Sequence, residues 1–444
     1  MLPSLREILK RTTSKCPVCR RPCPGEVWRG ADGRVWLGRT CPEHGPHDQC
    51  IARDGRFHWL ATGDASNACG PGCACPSDPA GATGSLGANA GKPGTPEKLA
   101  TCLALIEIVD SCNLACPTCF ADSPTGTAGE RLQAHPLEEL KRRITGVLER
   151  KGGIEILQLS GGEPTLHPEF FELLDWIRAE PRIDYCLLNT NGLRLASDEA
   201  FLNGLAERSA AGRFQLYLQY DGPGEAGQVE LRGTDLRERK REIMRRCEER
   251  GIPFTLAMTV TPANLDQCWP TVEAGLPYER CRGVSFQPVF GGGRGAGGPR
   301  RLNASDVALS LLDHPATKLS EKDLTPLPCG DPNCAVIGYL LRTPAGTRSI
   351  SEFIDFAEMQ GFLRDKVRYE LDDLVRCGCE NTELGELLHR FEMDERHAFR
   401  VFIKPFMDEW DWDEDRIDRC CTHVIRPDGQ LDSFCRYYAT PPAG

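Results

Sequence analysis

No stretch of this 444-residue chain approaches the ~18–20 consecutive apolar residues that span a bilayer. The N-terminal MLPSLREILKRTTSK lacks the apolar core of an export signal. Both absences point to a reducing, cytoplasmic setting, free or peripheral to a membrane. Basic residues are in deficit: 53 Lys and Arg face 64 Asp and Glu, for a net charge of −11. That excludes a nucleic-acid surface, which needs clustered cations against phosphates. No internal repeat stands out beyond an alternation of strand-like and helix-like segments.

What the chain has in excess is cysteine, with 23 residues. In a reducing compartment clustered thiols point to metal rather than disulfides. Cys186, Cys247, Cys268 and Cys281 each stand alone and read as small buried hydrophobes. The others fall into groups, and grouping is what ligation requires.

The length suggests two or three domains. Residues 1–60 carry Cys16, Cys19, Cys23, Cys41 and Cys50 and read as a small rubredoxin- or zinc-ribbon-like domain. Residues 61–102 are Gly-, Ala-, Pro- and Ser-rich and read as a cysteine-containing linker. Residues 103–300 alternate strands and helices, and 301–444 read as a helical and cysteine-rich auxiliary region. Strands are predicted at Ala104–Val109, Glu155–Ser160, Tyr185–Asn189, Gln215–Tyr220, Phe254–Val260 and Gly283–Val289. Helical patterns lie between them, near 136–150, 168–179, 198–207, 234–250 and 265–275. Six such β/α units imply an α/β fold with a parallel sheet, either open or curled into a partial barrel. In both, chemistry sits at the C-terminal strand ends.

The first of those strands runs directly into Cys112-Asn113-Leu114-Ala115-Cys116-Pro117-Thr118-Cys119-Phe120. Three closely spaced thiolates can hold one face of a [4Fe–4S] cluster, and a fourth at matching spacing is absent. One iron is then open to chelate the amino and carboxylate groups of S-adenosylmethionine (SAM). A zinc knuckle completed by a distant ligand uses the same spacing, but its position after the first β/α strand weighs against it. The second strand ends in Gly161-Gly162-Glu163-Pro164, glycines that admit close backbone approach and an acid able to accept from an ammonium group. Later strand ends offer Asn189 and Asn191, then Gln219 and Asp221, then Thr259, Thr261 and Asn264, then Gln287. Each has an ordinary reading as a turn former.

CxxxCxxC followed by GGEP, in that order, resembles the radical SAM superfamily. The resemblance implies a partial (β/α)6 barrel in which Cys112, Cys116 and Cys119 carry the cluster that cleaves SAM. It further implies that Phe120, Gly161, Gly162, Glu163, Pro164, Asn189, Asn191, Gln219, Asp221 and Gln287 bind the cofactor. The position before the third cysteine, often aromatic in that family, is Thr118 here.

Three further cysteine groups read as accessory sites. Cys16, Cys19 and Cys41 suit mononuclear iron or zinc, with Cys23, His44 or Cys50 as the fourth ligand. Cys69, Cys73, Cys75 and Cys102 form a possible tetrad, zinc or iron–sulfur. Cys329, Cys334, Cys421 and Cys435 form another, an auxiliary [4Fe–4S] candidate that leaves Cys420 spare. Cys377 and Cys379 lie close together without a partner pair. The order CPVC…CPEHG, CNLACPTCFADS, FQPVF, PCGDPNC and CTH…PDG…FC resembles the subgroup of tetraether lipid synthases and methanopterin-precursor methylases. The linker departs from it by a Gly/Ala insertion between Cys75 and Cys102.

The resemblance implies carbon–carbon bond formation or alkylation on a lipid or a pterin-like small molecule, with a flavodoxin or ferredoxin as electron donor. Two other readings remain open, a peptide-modifying radical enzyme with auxiliary clusters and a non-enzymatic iron–sulfur or zinc scaffold. The stretch 350–410, with its ISEFIDFAEMQGFL pattern, is predicted helical, packing its apolar face inward or lining a lipid groove. His423, Lys404, Asp408 and Tyr437 are polar candidates without a pattern.

Overall fold

The structure, a computed structural model, describes residues 6–59, 101–127, 129–295, 297–299, 301–327, 330–353 and 396–439. Cys69, Cys73, Cys75, Cys329, Cys377 and Cys379 lie outside the described residues. So does 354–395, most of the stretch predicted helical.

Four antiparallel strands open the chain: β1 (Glu7–Lys15), β2 (Pro22–Arg29), β3 (Val35–Cys41) and β4 (Gly45–Ala52). Their apolar face is small, centred on Val27, Val35, Leu37 and Ala52. The β1–β2 and β3–β4 turns project to one end and carry Cys16, Cys19, Cys41 and His44.

A twelve-stranded sheet follows. Its centre is β5 (Leu103–Val109), β6 (Ile154–Gly161), β7 (Ile183–Thr190), β8 (Phe214–Gln219), β9 (Phe254–Val260) and β10 (Cys281–Pro288). These six are parallel and hydrogen-bonded in sequence order, as predicted. The strands alternate rather than running uniformly apolar. In β9, Phe254, Leu256, Met258 and Val260 are fully buried against the helical layer, while Thr255 and Thr259 face the other way. Gln215 and Tyr217 of β8 and Asn189 of β7 take the same inner side. Parallel strands buried on both faces normally read as continuous Val/Ile/Leu runs. Polar residues on the inner parity therefore mark a lumen rather than a packed core.

Helices Leu137–Lys151, Phe170–Ala179, Glu199–Ser209, Arg237–Glu249 and Cys268–Gly275 cover the outer face. Each coincides with a predicted segment. Cys186, Cys247, Cys268 and Cys281 sit fully within this apolar layer, as isolated thiols should.

The C-terminal region adds β11 (Thr325–Pro326), β12 (Val336–Thr343), β13 (Gly346–Ser349), β14 (Ala398–Ile403), β15 (Thr422–Ile425) and β16 (Leu431–Ser433). Two of these extend the parallel series. β14 lies parallel to β10, with Gly283 opposite Arg400, and β15 lies parallel to β5, with Thr422 opposite Leu103. The strand at Ala398–Ile403 corrects the helical expectation for that part of 350–410. Its burial alternates strictly, Phe399, Val401 and Ile403 joining the outer core and Arg400, Phe402 and Lys404 facing the lumen. Among the described residues no backbone ladder joins β14 to β15, so the barrel is not closed. Across that seam the Lys404 ammonium donates to Thr422 Oγ1 at 3.2 Å.

Candidate active site and metal centres

The cysteine loop leaves β5 at its C-terminal end and is held against the end of β6 by backbone bonds. Gly162 N–H donates to Val109 O at 2.7 Å and Glu163 N–H to Ser111 O at 3.0 Å. Two glycines make this approach possible. Gly161 has φ +116°, and a Cβ there would lie 2.1 Å from Val109 O. A Cβ at Gly162 would lie 2.1 Å from Ser111 O and 2.6 Å from Asp110 O. The loop is also fastened from the far side by Arg294, which follows β10. Its backbone N–H donates to Cys119 O at 2.9 Å, and its guanidinium donates to Cys116 O at 3.1 Å and Ser123 O at 3.0 Å.

Within the loop, Leu114 N–H points at Cys112 Sγ (3.4 Å) and Ser123 N–H at Cys119 Sγ (3.5 Å). The Asn191 amide reaches Cys112 Sγ at 3.9 Å and Asn113 Oδ1 at 2.6 Å. Burial, with the Glu163 carboxylate next in weight, pushes the Cys112 thiol up to about 12. A thiolate at this position therefore needs a cation to pay for its charge. Three soft donors on one loop, with backbone N–H groups aimed at two of the sulfurs, fit a cysteine-bound iron–sulfur cluster.

Glu163 is fully buried and serves first as an organiser. Its Oε1 accepts from Thr165 N–H (3.2 Å), Thr165 Oγ1 (2.7 Å) and Thr190 Oγ1 (2.7 Å), and its Oε2 from Asn191 N–H (2.8 Å). It thus caps the short helix Pro164–Leu166 and ties the end of β6 to the end of β7. Burial raises its pKa against the pull of those donors. Oε2, with one donor, keeps acceptor capacity toward the cysteine loop.

The remaining strand-end residues divide into two sets. Asn189 and Gln287 line an internal chamber. Asn189 donates to Ser160 Oγ at 3.0 Å and accepts from Gln158, and Gln287 donates to Tyr217 OH at 2.9 Å. Gln219 and Asp221 instead turn toward Arg232, while Asn264 bonds Asp221 O and Thr259 O as a turn former. Phe120 packs edge-on against Tyr438 with ring centroids 4.8 Å apart, and also borders the chamber.

That chamber has a volume of about 180 Å³. Its wall on the barrel side mixes polar and aliphatic residues, Gln158, Gln215, Tyr217, Thr255 and Ser285 joining Asn189 and Gln287, with Leu105, Ile156, Leu187 and Val284 between them. Phe120, Phe290, Phe406 and Phe434 form an aromatic side, and Arg400 and Lys404 are its charged residues. Lys404 was a polar candidate without a pattern and Arg400 was not read as a site residue, although the period-two pattern of AFRVFIK places both on one strand face. Arg232 and Lys240, on the helices after β8, carried no sequence signal of their function, and Arg294 entered only as part of the Gly-Arg that follows FQPVF.

In the N-terminal ribbon, Cys16, Cys19, Cys41 and His44 offer four ligand atoms within 4.8 Å of one another. Cys19 and Cys41 sulfurs lie 3.8 Å apart, and His44 Nδ1 is 3.5 Å from Cys41 Sγ. A tetrahedral ion with ~2.3 Å metal–sulfur bonds has edges of about that length. His44 thus completes the quartet, and the four side chains could hold one metal ion. Cys23 is buried beside the site outside the quartet, and Cys50 lies apart on β4.

At the other end of the chain, Cys334, Cys420, Cys421 and Cys435 surround Lys404. Burial alone would lower that ammonium, and the four thiols together hold it above its ordinary range. Arg416 donates to Cys334 Sγ at 3.3 Å and Met407 N–H to Cys435 Sγ at 3.3 Å. Cys420, read as spare, shares this pocket. Cys102, assigned to the linker tetrad, lies against it, its N–H donating to Cys421 O at 2.9 Å. Thr101 Oγ1 and His423 Nδ1 are bonded partners beside it.

Residues 106–274 match the family model described as the Radical SAM superfamily, and residues 8–53 match the HMPTM N-terminal zinc ribbon domain. Over 96% of its length the chain is 23% identical to the 7,8-dihydro-6-hydroxymethylpterin dimethyltransferase of Methanocaldococcus jannaschii, of which it covers 93%. It is 30% identical to the GTP 3′,8-cyclase of Syntrophomonas wolfei over 41% of this chain and 55% of that one. Among solved structures, Streptococcus suis SuiB bound to precursor peptide SuiA is 20% identical, with TM-score 0.34 over 43% of this chain and 40% of that chain.

Proposed function

Residues 106–274 form a radical SAM domain, and from that premise we propose that the chain alkylates a pterin-like small molecule at an unactivated carbon. The observation that carries this reading is the chamber inside the barrel. It is small, with amides and hydroxyls among aliphatic residues on one side and phenylalanines on the other, which suits a flat heterocycle rich in donors and acceptors. Gln158, Asn189, Gln287 and Tyr217 bond one another along that wall, and the donor and acceptor capacity they keep is of no use to a lipid chain. The likeness to a pterin dimethyltransferase, which runs across nearly the whole chain, supports the same substrate class and a transferred one-carbon group.

Cys112, Cys116 and Cys119 would hold the [4Fe–4S] cluster, with the Glu163 side of the loop and the ends of β6 and β7 receiving SAM. When bound, these groups supply a 5′-deoxyadenosyl radical that abstracts hydrogen from carbon. The chain's own residues then have three tasks. Glu163, Gly161 and Gly162 fix the loop relative to the strand ends. Asn189, Gln287 and Tyr217 orient the ring below it. Phe120, Phe290 and Phe434 exclude water, which protects a reactive intermediate from side reactions. In this reading the ribbon ion and the C-terminal cysteines, with Cys329 or Cys420 completing the set, serve architecture or electron delivery from a flavodoxin or ferredoxin.

The test is anaerobic reconstitution with iron and sulfide, followed by reduction with SAM, 7,8-dihydro-6-hydroxymethylpterin and a one-carbon donor, either SAM itself in excess or a reduced pterin carrying a methylene group. Formation of 5′-deoxyadenosine together with a pterin heavier by one or two methyl groups is the expected result, and Cys112→Ala should give neither. Turnover of SAM that stays unchanged on adding the pterin, but rises with a lipid or peptide extract, would overturn the substrate assignment. No 5′-deoxyadenosine from a fully loaded protein would overturn the enzymatic reading and favour a scaffold.

A further inference from the structure

Arg232 ends the helix Glu225–Arg232, and its guanidinium is turned inward toward the cysteine loop rather than out to solvent. It meets Asp221 in a two-point contact, Nε to Oδ2 at 2.6 Å and Nη2 to Oδ1 at 2.9 Å, and also donates to Thr259 Oγ1 at 3.3 Å. Asp221 is fully buried, holds φ +64° and accepts a further bond from Thr259 N–H at 3.0 Å. The Gln219 amide oxygen, turned to face the guanidinium, accepts at 2.8 Å. The pair is therefore fixed in orientation at the mouth of the barrel.

This corner packs directly on the loop. Thr118 Oγ1 donates to Leu231 O at 3.4 Å, and a Cβ at Gly233 would touch Pro117 Cδ at 3.7 Å. Burial disfavours the charge on the Arg232 guanidinium, and Asp221, with Cys116 behind it, holds it in place. A second cation, Lys240, is fully buried nearby, with its ammonium donating to Asn191 O at 2.7 Å.

We propose that the Arg232–Asp221 ion pair sets the reduction potential of the iron–sulfur cluster held by Cys112, Cys116 and Cys119. The inference rests on that cluster being present and does not depend on the substrate. Reduction adds one negative charge to the cluster. A fixed, buried cation beside the cysteine loop favours the reduced form and raises the potential, and the carboxylate paired with it offsets part of that effect. Both charges are out of solvent, so bulk salt screens them weakly. A pair that serves packing alone predicts that removing either partner damages the site in the same direction. A pair that tunes the cluster predicts opposite directions.

The experiment is a redox titration of the reconstituted full-length protein without SAM, read by electron paramagnetic resonance. The relevant signal is assigned as the one whose shape changes when SAM is added. Arg232→Gln is expected to lower the midpoint potential, Asp221→Asn to raise it, and Arg232→Lys to stay near wild type. Shifts of the same sign in Arg232→Gln and Asp221→Asn, or none in either at wild-type iron content, would overturn the proposal. Should Arg232→Gln fail to load iron, Asp221→Asn decides alone, since an unchanged or lowered potential there contradicts it. A wild-type protein without a SAM-responsive signal overturns the cluster assignment itself, a failure distinguishable from any of these.

Discussion

Gly162→Ala should leave the barrel folded and empty its cysteine loop of iron. The methyl group would lie 2.1 Å from Ser111 O and 2.6 Å from Asp110 O, both backbone atoms of the segment that leads into Cys112. No rotamer relieves such a contact, so the loop must retreat by about an ångström or more. The bonds from Gly162 N–H to Val109 O and from Glu163 N–H to Ser111 O would break with it. Displacements of that size cost ~10²-fold in rate even where all groups survive. Here they also separate three sulfurs that must meet one cluster. Iron and sulfide bound at this site should fall to background, and 5′-deoxyadenosine formation by at least that factor, while far-ultraviolet circular dichroism stays unchanged. Gly212→Ala is the control. It too has a left-handed φ, +72°, but its Cβ would meet nothing within 4 Å. It should cost only the ~1–2 kcal/mol of an Ala in that conformation and load iron normally. Normal iron loading in Gly162→Ala would show that the GGEP turn does not position the cysteine loop.

Removing the ribbon's ligands should unfold the ribbon and loosen a distant part of the chain. The four strands enclose a core of Val27, Val35, Leu37 and Ala52, too small to stand alone. A structural zinc site contributes roughly 10–16 kcal/mol of apparent binding free energy in isolated fingers, far more than that core can replace. A Cys19→Ala, Cys41→Ala double variant avoids chelators, which would also attack the cluster. Its amide protection across 8–53 should collapse in hydrogen exchange.

The effect should spread to 405–418. Lys10 Nζ lies 2.6 Å from Asp413 and 2.9 Å from Asp415, Thr12 Oγ1 donates to Asp413 at 2.6 Å, and Lys15 sits over the Trp412 ring at 3.2 Å. That segment carries Arg416, the donor to Cys334. Exchange there should rise while β9 stays protected. Full protection of the ribbon in the double variant would show that His44 and the cysteines are not what holds it.

The six central strands were legible because each is a short apolar run with a helical period after it, and Phe254–Val260 was read to the residue. The cysteine loop and GGEP turn were legible because local chemistry names them, whatever surrounds them. The fourth ribbon ligand was not. Cys23, His44 and Cys50 are all near in sequence, and only the β3–β4 turn decides that His44 meets Cys16 and Cys41.

The two flanking strands were missed for a different reason. Thr422–Ile425 is four residues long, and Ala398–Ile403 lies at the end of a stretch with a helical pattern. Their places in the parallel series depend on partners more than a hundred residues away, Gly283 for Arg400 and Leu103 for Thr422. Arg232 escaped notice, and Lys404 stood only as a candidate without a pattern, because a lone cation on a surface-like segment reads as solvated, and only burial gives it a role.

What the sequence determined by itself is therefore the local chemistry: three thiols on one loop, two glycines where backbones must touch, and the period-two and period-3.6 rhythms that build a β/α barrel. Those are properties of neighbours in the chain, set by sterics and burial within a few residues. The tertiary structure alone decided which ends face each other. It placed the C-terminal strands on both edges of the sheet, buried Arg232 against Asp221 beside the cysteine loop, and enclosed a chamber lined by amides, hydroxyls and phenylalanines. Such juxtapositions depend on contacts between residues far apart in sequence, which short-range pattern does not encode.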